Sequence, residues 1–346
     1  MFGPFELFNV FRYCGLGHLS LPGQQFRSRL QLRRWRCCVR DNVSQIVYIQ
    51  LHIPERAPLQ WIQERRIPVR WPNDEQQSDQ NDIMHHIFNL TLDGELFLAP
   101  IGKHPQRVLD VGTGTGIWAI EFADRFPSAS VIGTDLSPIQ PSMVPPNLQF
   151  EIDDCCEEWL YTKESFDFIH IRLLNGAVAN WSSLYAEAFA HVKPGGWIEC
   201  VEGNPITSDD DTISPDSVYH QWNQVTFDGG KAYGKPIIRS SDEVKDALSG
   251  AGFVDITERR FKWPIGGWCK DQRLKEIGIW NRLNFEQGME GWCWYLCTAV
   301  LGWKTEKVQM MLAEMRLMLR QKGVHAYNEV TFIYGRKPPA KVSADG

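Results

Sequence analysis

Arg107–Asp135, RVLDVGTGTGIWAIEFADRFPSASVIGTD, constrains this chain more than any other stretch. A short apolar run enters a glycine-rich turn, an amphipathic segment follows, and a second apolar run ends in an acid. Strand, turn, helix and strand in that order form the first half-unit of a nucleotide-binding α/β domain. The glycine spacing then decides which nucleotide fits.

Gly112, Gly114 and Gly116 spell GTGTG. The dinucleotide fingerprint G-x-G-x-x-G requires glycine at position 117, where the chain has Ile117. The phosphate-cradling G-x-x-x-x-G-K-[ST] is also missing. The glycines still let a bound group pass close to the backbone. Asp110, just before the turn, has the wrong charge for a phosphate and the right charge for an ammonium. A ligand carboxylate can use the N-terminus of the following helix. Asp135 stands where an acid commonly receives the two hydroxyls of a ribose. The implied ligand is an adenosine with a cationic amino-acid tail. S-adenosylmethionine fits that description better than a pyrophosphate dinucleotide.

Strand and helix signals alternate beyond this unit. Strands are expected at Val108–Val111, Ser130–Thr134, Leu148–Glu151, Phe166–Ile171, Trp197–Val201, Val254–Arg260 and Asn328–Tyr334. Helices are expected at Ile117–Arg125, Ser183–His191, Asp242–Gly250 and Lys304–Lys322. A further helix runs from a cap at Asn73 or Asp74 to Gly94. Such alternation predicts a mostly parallel sheet flanked by helices. Pro264–Gly302 interrupts the order. With Leu274, Ile277, Ile279 and Trp280, this stretch predicts a helical lid over a site, with a purely structural pad as the alternative. Cys293 and Cys297 are read as packing residues, two ligands being too few for zinc.

The chain has 346 residues, 43% of them hydrophobic, enough for one large domain with an elaborate lid or two modest ones. A net charge of −6 gives no reason to expect direct nucleic-acid binding. Nine cysteines without a regular spacing predict free thiols in a reducing compartment. No apolar run is long enough for a membrane span, and the first twenty residues lack a secretory pattern, so a cytoplasmic location is expected. Residues 1–72 form a poorly defined extension. Its Phe26–Arg40, FRSRLQLRRWRCCVR, reads as a solvated basic stretch, with a nuclear or organellar address or a nucleic-acid patch as the alternatives. Val43–Ile53 has strand propensity but no place in the later pattern. His85 and His86 are helix neighbours that do not share a face, and are read as surface or packing residues.

Several stretches together resemble the class I S-adenosylmethionine-dependent methyltransferases, and more closely the fungal LaeA-like methyltransferases. They are PNDEQQSDQNDIMHHIFNLTLDGELFLAP, the VLDVGTGTG unit through IDDCCEEW, FDFIHIRLLNGAVANW, HVKPGGWIECVE and VHAYNEVTFIYGRKP. The likeness spans about 73–338 and leaves 339–346 as a tail. It departs before PNDE, where QWIQERRIPVRW replaces the family's tyrosine- and arginine-containing helix. The resemblance implies a Rossmann-like seven-stranded methyltransferase fold, with a mostly parallel sheet, helices on both faces and a helical lid insertion at 264–302. It places Asp110, Gly112 and Gly114 at the methionine end, Asp135 on the ribose and Leu136 beside the adenine. Asp154 would reach the adenine amino group, with Asp153 the less favoured neighbour. His170–Arg172 would fall where substrate and cofactor meet.

A sulfonium makes its methyl carbon electrophilic, so such a protein need not supply a nucleophile; it must align the acceptor. His170 is the catalytic candidate, as a base for an acceptor that retains its proton, and it is favoured over His191. Glu199, Glu202 and Asn204 are candidate borders of the acceptor pocket. Trp222, Phe227, Trp268, Trp280 and Trp292 are candidate walls for an apolar or aromatic small molecule. The expected function is small-molecule O- or N-methylation in fungal secondary metabolism. The alternative is a LaeA-like nuclear regulator acting with protein partners. No metal and no membrane partner is expected.

Overall fold

The computed structural model describes residues 75–340. The arginine-rich Phe26–Arg40 and the strand expected at Val43–Ile53 lie outside the described residues.

The order of elements is α1 (Glu75–Thr91), β1 (Arg107–Val111), α2 (Ile117–Arg125), β2 (Ser130–Asp135), β3 (Leu148–Ile152), β4 (Phe166–Arg172), α3 (Trp181–His191) and β5 (Val192–Thr207). Next come α4 (Val218–Tyr233), α5 (Ser241–Ala251), β6 (Val254–Pro264), α6 (Gln272–Tyr295), a π-helical turn (Leu296–Val300), α7 (Thr305–Met318) and β7 (Tyr327–Arg336). The seven strands form one sheet in the order β3-β2-β1-β4-β5-β7-β6. The pairs from β3 through β5 are parallel, and β7 runs antiparallel between β5 and β6. This is the Rossmann-like methyltransferase arrangement, with helical insertions.

Successive strands build outward from β1 in both directions, to β2 on one side and β4 on the other. An open parallel sheet binds ligands beyond the carboxyl ends of its strands at such a reversal. From Val108 onward β1 is buried on both faces, so after Arg107 its sequence is an apolar run broken only by Asp110. Val108, Trp118, Ala119, Phe122 and Phe168 form the layer between α2 and the sheet. Leu109, Ile169, Leu184, Tyr185 and Leu248 pack α3 and α5 against the other face.

The helical cap has its own core, in which Trp222, Phe285, Met289, Cys293, Cys297 and Met311 meet. Helix α6 begins where Asp271 accepts the N–H of Leu274 at 2.9 Å. It covers the α1 and β6 side of the sheet with Ile277 and Trp280. The lid helix expected within 264–302 is therefore a 24-residue helix with a π-helical end.

Helix α4 has no counterpart in the sequence reading, because Gly229–Gly230 argues against a helix. Packing explains the pair: a Cβ at Gly229 would lie 3.1 Å from Leu296, and one at Gly230 would lie 2.8 Å from the Ile237 backbone nitrogen. Strand β5 is also longer than its apolar centre suggests. β7 continues to pair with it as far as Thr207, across a register shift between Gly203 and Ile206.

Glu199, on β5, is fully buried, and its Oε2 accepts the N–H groups of Leu98 and Ala99, both at 2.7 Å. It ties the segment after α1 to the sheet and does not border the cavity described below. Burial pushes its carboxyl up to about 7. Its folded value thus lies above the unfolded one, so the proton it holds stabilises the fold fully below about pH 4.5. That contribution is lost as pH rises through about 7. Glu199→Gln should therefore flatten the fall in melting temperature between about pH 5 and about pH 8. An unchanged slope would show that this carboxyl does not titrate with folding.

Candidate functional site

A cavity of about 470 Å³ opens beyond the carboxyl ends of β1, β2 and β4. On one side it is bordered by Gly112–Thr115, Asp135, Leu136, Asp153 and Asp154. On the other it is bordered by Trp222, Trp263, Phe285 and Trp292, with Glu202 and Asn204 from β5. The amide side chains of Gln77, Gln80 and Asn81 from α1 and Asn284 from α6 close the top.

The glycine turn is held from two directions. Asp135 accepts the N–H of Gly114 through Oδ2 and that of Ser137 through Oδ1, each at 2.9 Å. Thr113 N–H donates to the Thr134 carbonyl at 2.8 Å. Gly112, Gly114 and Gly116 all have positive φ, the left-handed region where a side chain is strained. A Cβ at Gly114 would meet only the Asn81 amide, at 3.6 Å, and would otherwise stand in open cavity. Burial raises the pKa of Asp135, while the Ser137 and Gly114 N–H groups oppose that shift.

Asp110 and His170 occupy a different place from the one expected. They stand opposite each other in the β1–β4 register, and neither borders the cavity. His170 Nδ1 lies 2.7 Å from Asp110 Oδ1, and Thr113 Oγ1 donates to Asp110 Oδ2 at 2.6 Å. The His170 ring also stacks on Trp118, with centroids 3.8 Å apart and planes within 4°. Burial lowers the pKa of His170. Asp110 therefore braces the turn from beneath through Thr113, and His170 is packed into the core against Trp118.

Arg172 ends β4 and does border the cavity. One guanidinium nitrogen lies 3.3 Å from His85 Nδ1, and the guanidinium carbon sits 4.5 Å from the centre of the Phe88 ring. Arginine can only donate, so His85 Nδ1 accepts and its ring proton sits on Nε2, 3.1 Å from Glu121 Oε2. Burial lowers the pKa of His85 and keeps the ring neutral. Burial also brings Arg172 down to about 10, which leaves it cationic at neutral pH.

Glu202 accepts the N–H of Leu174 at 2.9 Å and that of Asn175 at 3.3 Å, shaping the loop after β4. Burial pushes its carboxyl up to about 8. Of the five aromatic residues proposed as walls, Trp222 and Trp292 border the cavity. Phe227 is half exposed, Trp268 donates to the Ala326 carbonyl, and Trp280 packs edge-on against His86. Trp263 and Phe285, which the sequence reading did not select, take wall positions. Asp153 and Asp154 both border the cavity on the side of the glycine turn, joined there by Cys155 and Cys156.

A glycine turn at a strand-order reversal, an acid ending the next strand and an adjoining aromatic chamber define a nucleotide-dependent transferase of the class I methyltransferase type. The chain belongs to the methyltransferase domain family, whose model matches residues 83–258. Over 270 residues it is 38% identical to methyltransferase pytC of Aspergillus terreus, covering 78% of this chain and 83% of the relative. It is 36% identical to secondary metabolism regulator LAE1 of Cochliobolus heterostrophus, covering 79% and 91%. It is 35% identical to protein-methionine methyltransferase laeA of Emericella nidulans, covering 77% and 72%.

The residues present fit S-adenosylmethionine. At Gly114 the turn leaves open cavity where a Cβ would project, and Asp135 supplies a buried acceptor at its edge. Trp222 and Trp292 border the same cavity, so a donor and an acceptor molecule can share it.

Proposed function

We propose that this protein is an S-adenosylmethionine-dependent methyltransferase that acts on an apolar or aromatic small molecule in fungal secondary metabolism. One observation carries the reading: a single cavity joins the glycine turn, Asp135 and Asp154 to the Trp222, Phe285 and Trp292 wall. In this reading Gly112 and Gly114 admit the cofactor's tail, Asp135 holds the ribose, and Leu136 and Asp154 receive the adenine. Bound S-adenosylmethionine supplies the electrophilic methyl group. The aromatic wall holds the acceptor in line and excludes water, so catalysis is mainly alignment. For an acceptor that retains its proton, Glu202 is the cavity carboxyl whose proton affinity suits neutral pH, at about 8. A cytoplasmic location accords with a small-molecule enzyme.

The second reading is a LaeA-like nuclear regulator acting with protein partners. It is favoured by two relatives of nearly equal identity, one called a secondary metabolism regulator and the other a protein-methionine methyltransferase. The two readings separate when the full chain is incubated with methyl-labelled S-adenosylmethionine and a panel of phenols and indoles. The enzyme reading predicts label in the organic phase and stoichiometric S-adenosylhomocysteine. Label on protein methionine, with none in the organic phase, would favour the second reading.

A further inference from the structure

Two strongly basic side chains border the cavity, Arg172 and Lys235, and of these Arg172 stands at the carboxyl end of β4, level with the glycine turn. Among the described residues, no carboxylate lies within ion-pair distance of Arg172, and its polar side-chain contact is with the neutral His85. Asp110, the nearest acid by register, is already engaged by His170 and Thr113. A guanidinium carries five donors, so most of those on Arg172 remain for a ligand. A cation partly withdrawn from water and bordering a cavity is matched by an anion there.

The sheet register shows which anion. Val111 is level with Thr134 of β2 and with Ile171 of β4. Asp135 and Arg172 are the next residues along those strands, so they flank Gly112 at one level. They stand two interstrand spacings apart, on the order of 10 Å. With Asp135 on a ribose, a tail crossing the glycine turn reaches Arg172 at its far end. The carboxylate is the only anionic group of S-adenosylmethionine, whereas its ammonium and sulfonium are repelled by a guanidinium.

We propose that Arg172 binds the carboxylate of the cofactor's amino-acid tail. This rests on the S-adenosylmethionine reading above and assigns the end of the ligand that Asp110 leaves without a partner. His85 and Phe88 fix the guanidinium plane. Because His85 is neutral and only accepts, it orients Arg172 without neutralising it.

The test is calorimetric binding to the full chain, with S-adenosylmethionine and its decarboxylated form as probes. Wild type, Arg172→Met and Arg172→Lys are compared. Wild type should bind the decarboxylated form on the order of 10- to 100-fold more weakly. Arg172→Met should weaken S-adenosylmethionine by a similar factor and change the decarboxylated form by less than about threefold. Arg172→Lys should recover part of the loss, since it keeps the charge without the planar fork. Equal weakening of both probes by Arg172→Met would reduce Arg172 to a structural role and overturn the proposal. No weakening of either would leave the carboxylate to the N-terminus of α2, and would also overturn it. If Arg172→Met does not fold by thermal melting, wild type and Arg172→Lys decide. An equal preference for the carboxylated form in those two would contradict the assignment. Failure of wild type to bind both S-adenosylmethionine and S-adenosylhomocysteine would instead sink the cofactor reading on which the proposal stands.

Discussion

Asp135→Ala should weaken S-adenosylmethionine binding on the order of 100-fold, with a much smaller effect on folding. Two losses combine in binding. The ribose hydroxyls lose a carboxylate acceptor, each such charge-assisted hydrogen bond contributing about 1.5–3 kcal/mol. The Gly114 N–H loses its 2.9 Å partner, so the turn that admits the tail is freed. For folding the terms oppose each other. The Gly114 and Ser137 N–H groups lose an acceptor, but a carboxyl that resists ionisation in its buried site is also removed. Asp135→Asn, which keeps one oxygen, should fall between wild type and alanine. Titration calorimetry beside thermal melting separates the effects. A dissociation constant changed by less than about threefold would mean that Asp135 is not the ribose acceptor.

The second large effect distinguishes two glycines of one turn. Gly114→Leu should abolish detectable cofactor binding, because its side chain enters open cavity. The left-handed backbone at φ 58° costs a non-glycine residue about 1–2 kcal/mol, so this variant should still fold. Gly116→Ala should behave in the opposite way. Gly116 does not border the cavity, and its Cβ would clash with the Phe150 ring. Strain at φ 82° and overpacking together predict about 2–4 kcal/mol of destabilisation. The folded fraction should keep most of its cofactor affinity. Urea unfolding and calorimetry on both variants read the contrast. Equal loss of binding at matched folded fraction would show that the turn acts as one rigid unit.

These glycines also mark how far the sequence was legible. The Arg107–Asp135 unit carries its own signals: strand burial on both faces, punctuating glycines and an acid at the next strand's end. Its elements follow the pattern almost residue for residue. The limits of legibility lie where neighbours decide. Asp110 and His170 are near the carboxyl edge of the sheet, but the parallel register sets them opposite each other and Trp118 stacks on the imidazole. Arg172 shares the face of His170, two residues further along a strand. The strand's length by one turn of the pleat decides which of the two reaches the cavity, and no local pattern encodes that length.

Helix α1 offers a second case. Gln77, Gln80, Asn81 and Met84 follow helical spacing and border the cavity. Three of the four are amides, so no apolar stripe announces the face. Helix α4 was hidden by glycines whose justification is contact with Leu296, distant in sequence, and with Ile237 just beyond the helix. The aromatic wall was legible in kind but not in membership. Trp222 and Trp292 reach the cavity while Trp280, on the same helix as Trp292, packs against α1 instead.

In the proposed binding mode a cofactor crosses the glycine turn from Asp135 toward β4 and leaves its reactive centre facing the aromatic chamber. A crystal structure of the full chain with S-adenosylhomocysteine tests this most directly. The ribose hydroxyls should lie within hydrogen-bond distance of Asp135, the adenine beside Leu136 and Asp154, and the sulfur turned toward Trp222 and Trp292. A nucleoside bound elsewhere, or one lying in the aromatic chamber with its tail directed away from Gly112 and Gly114, would contradict it.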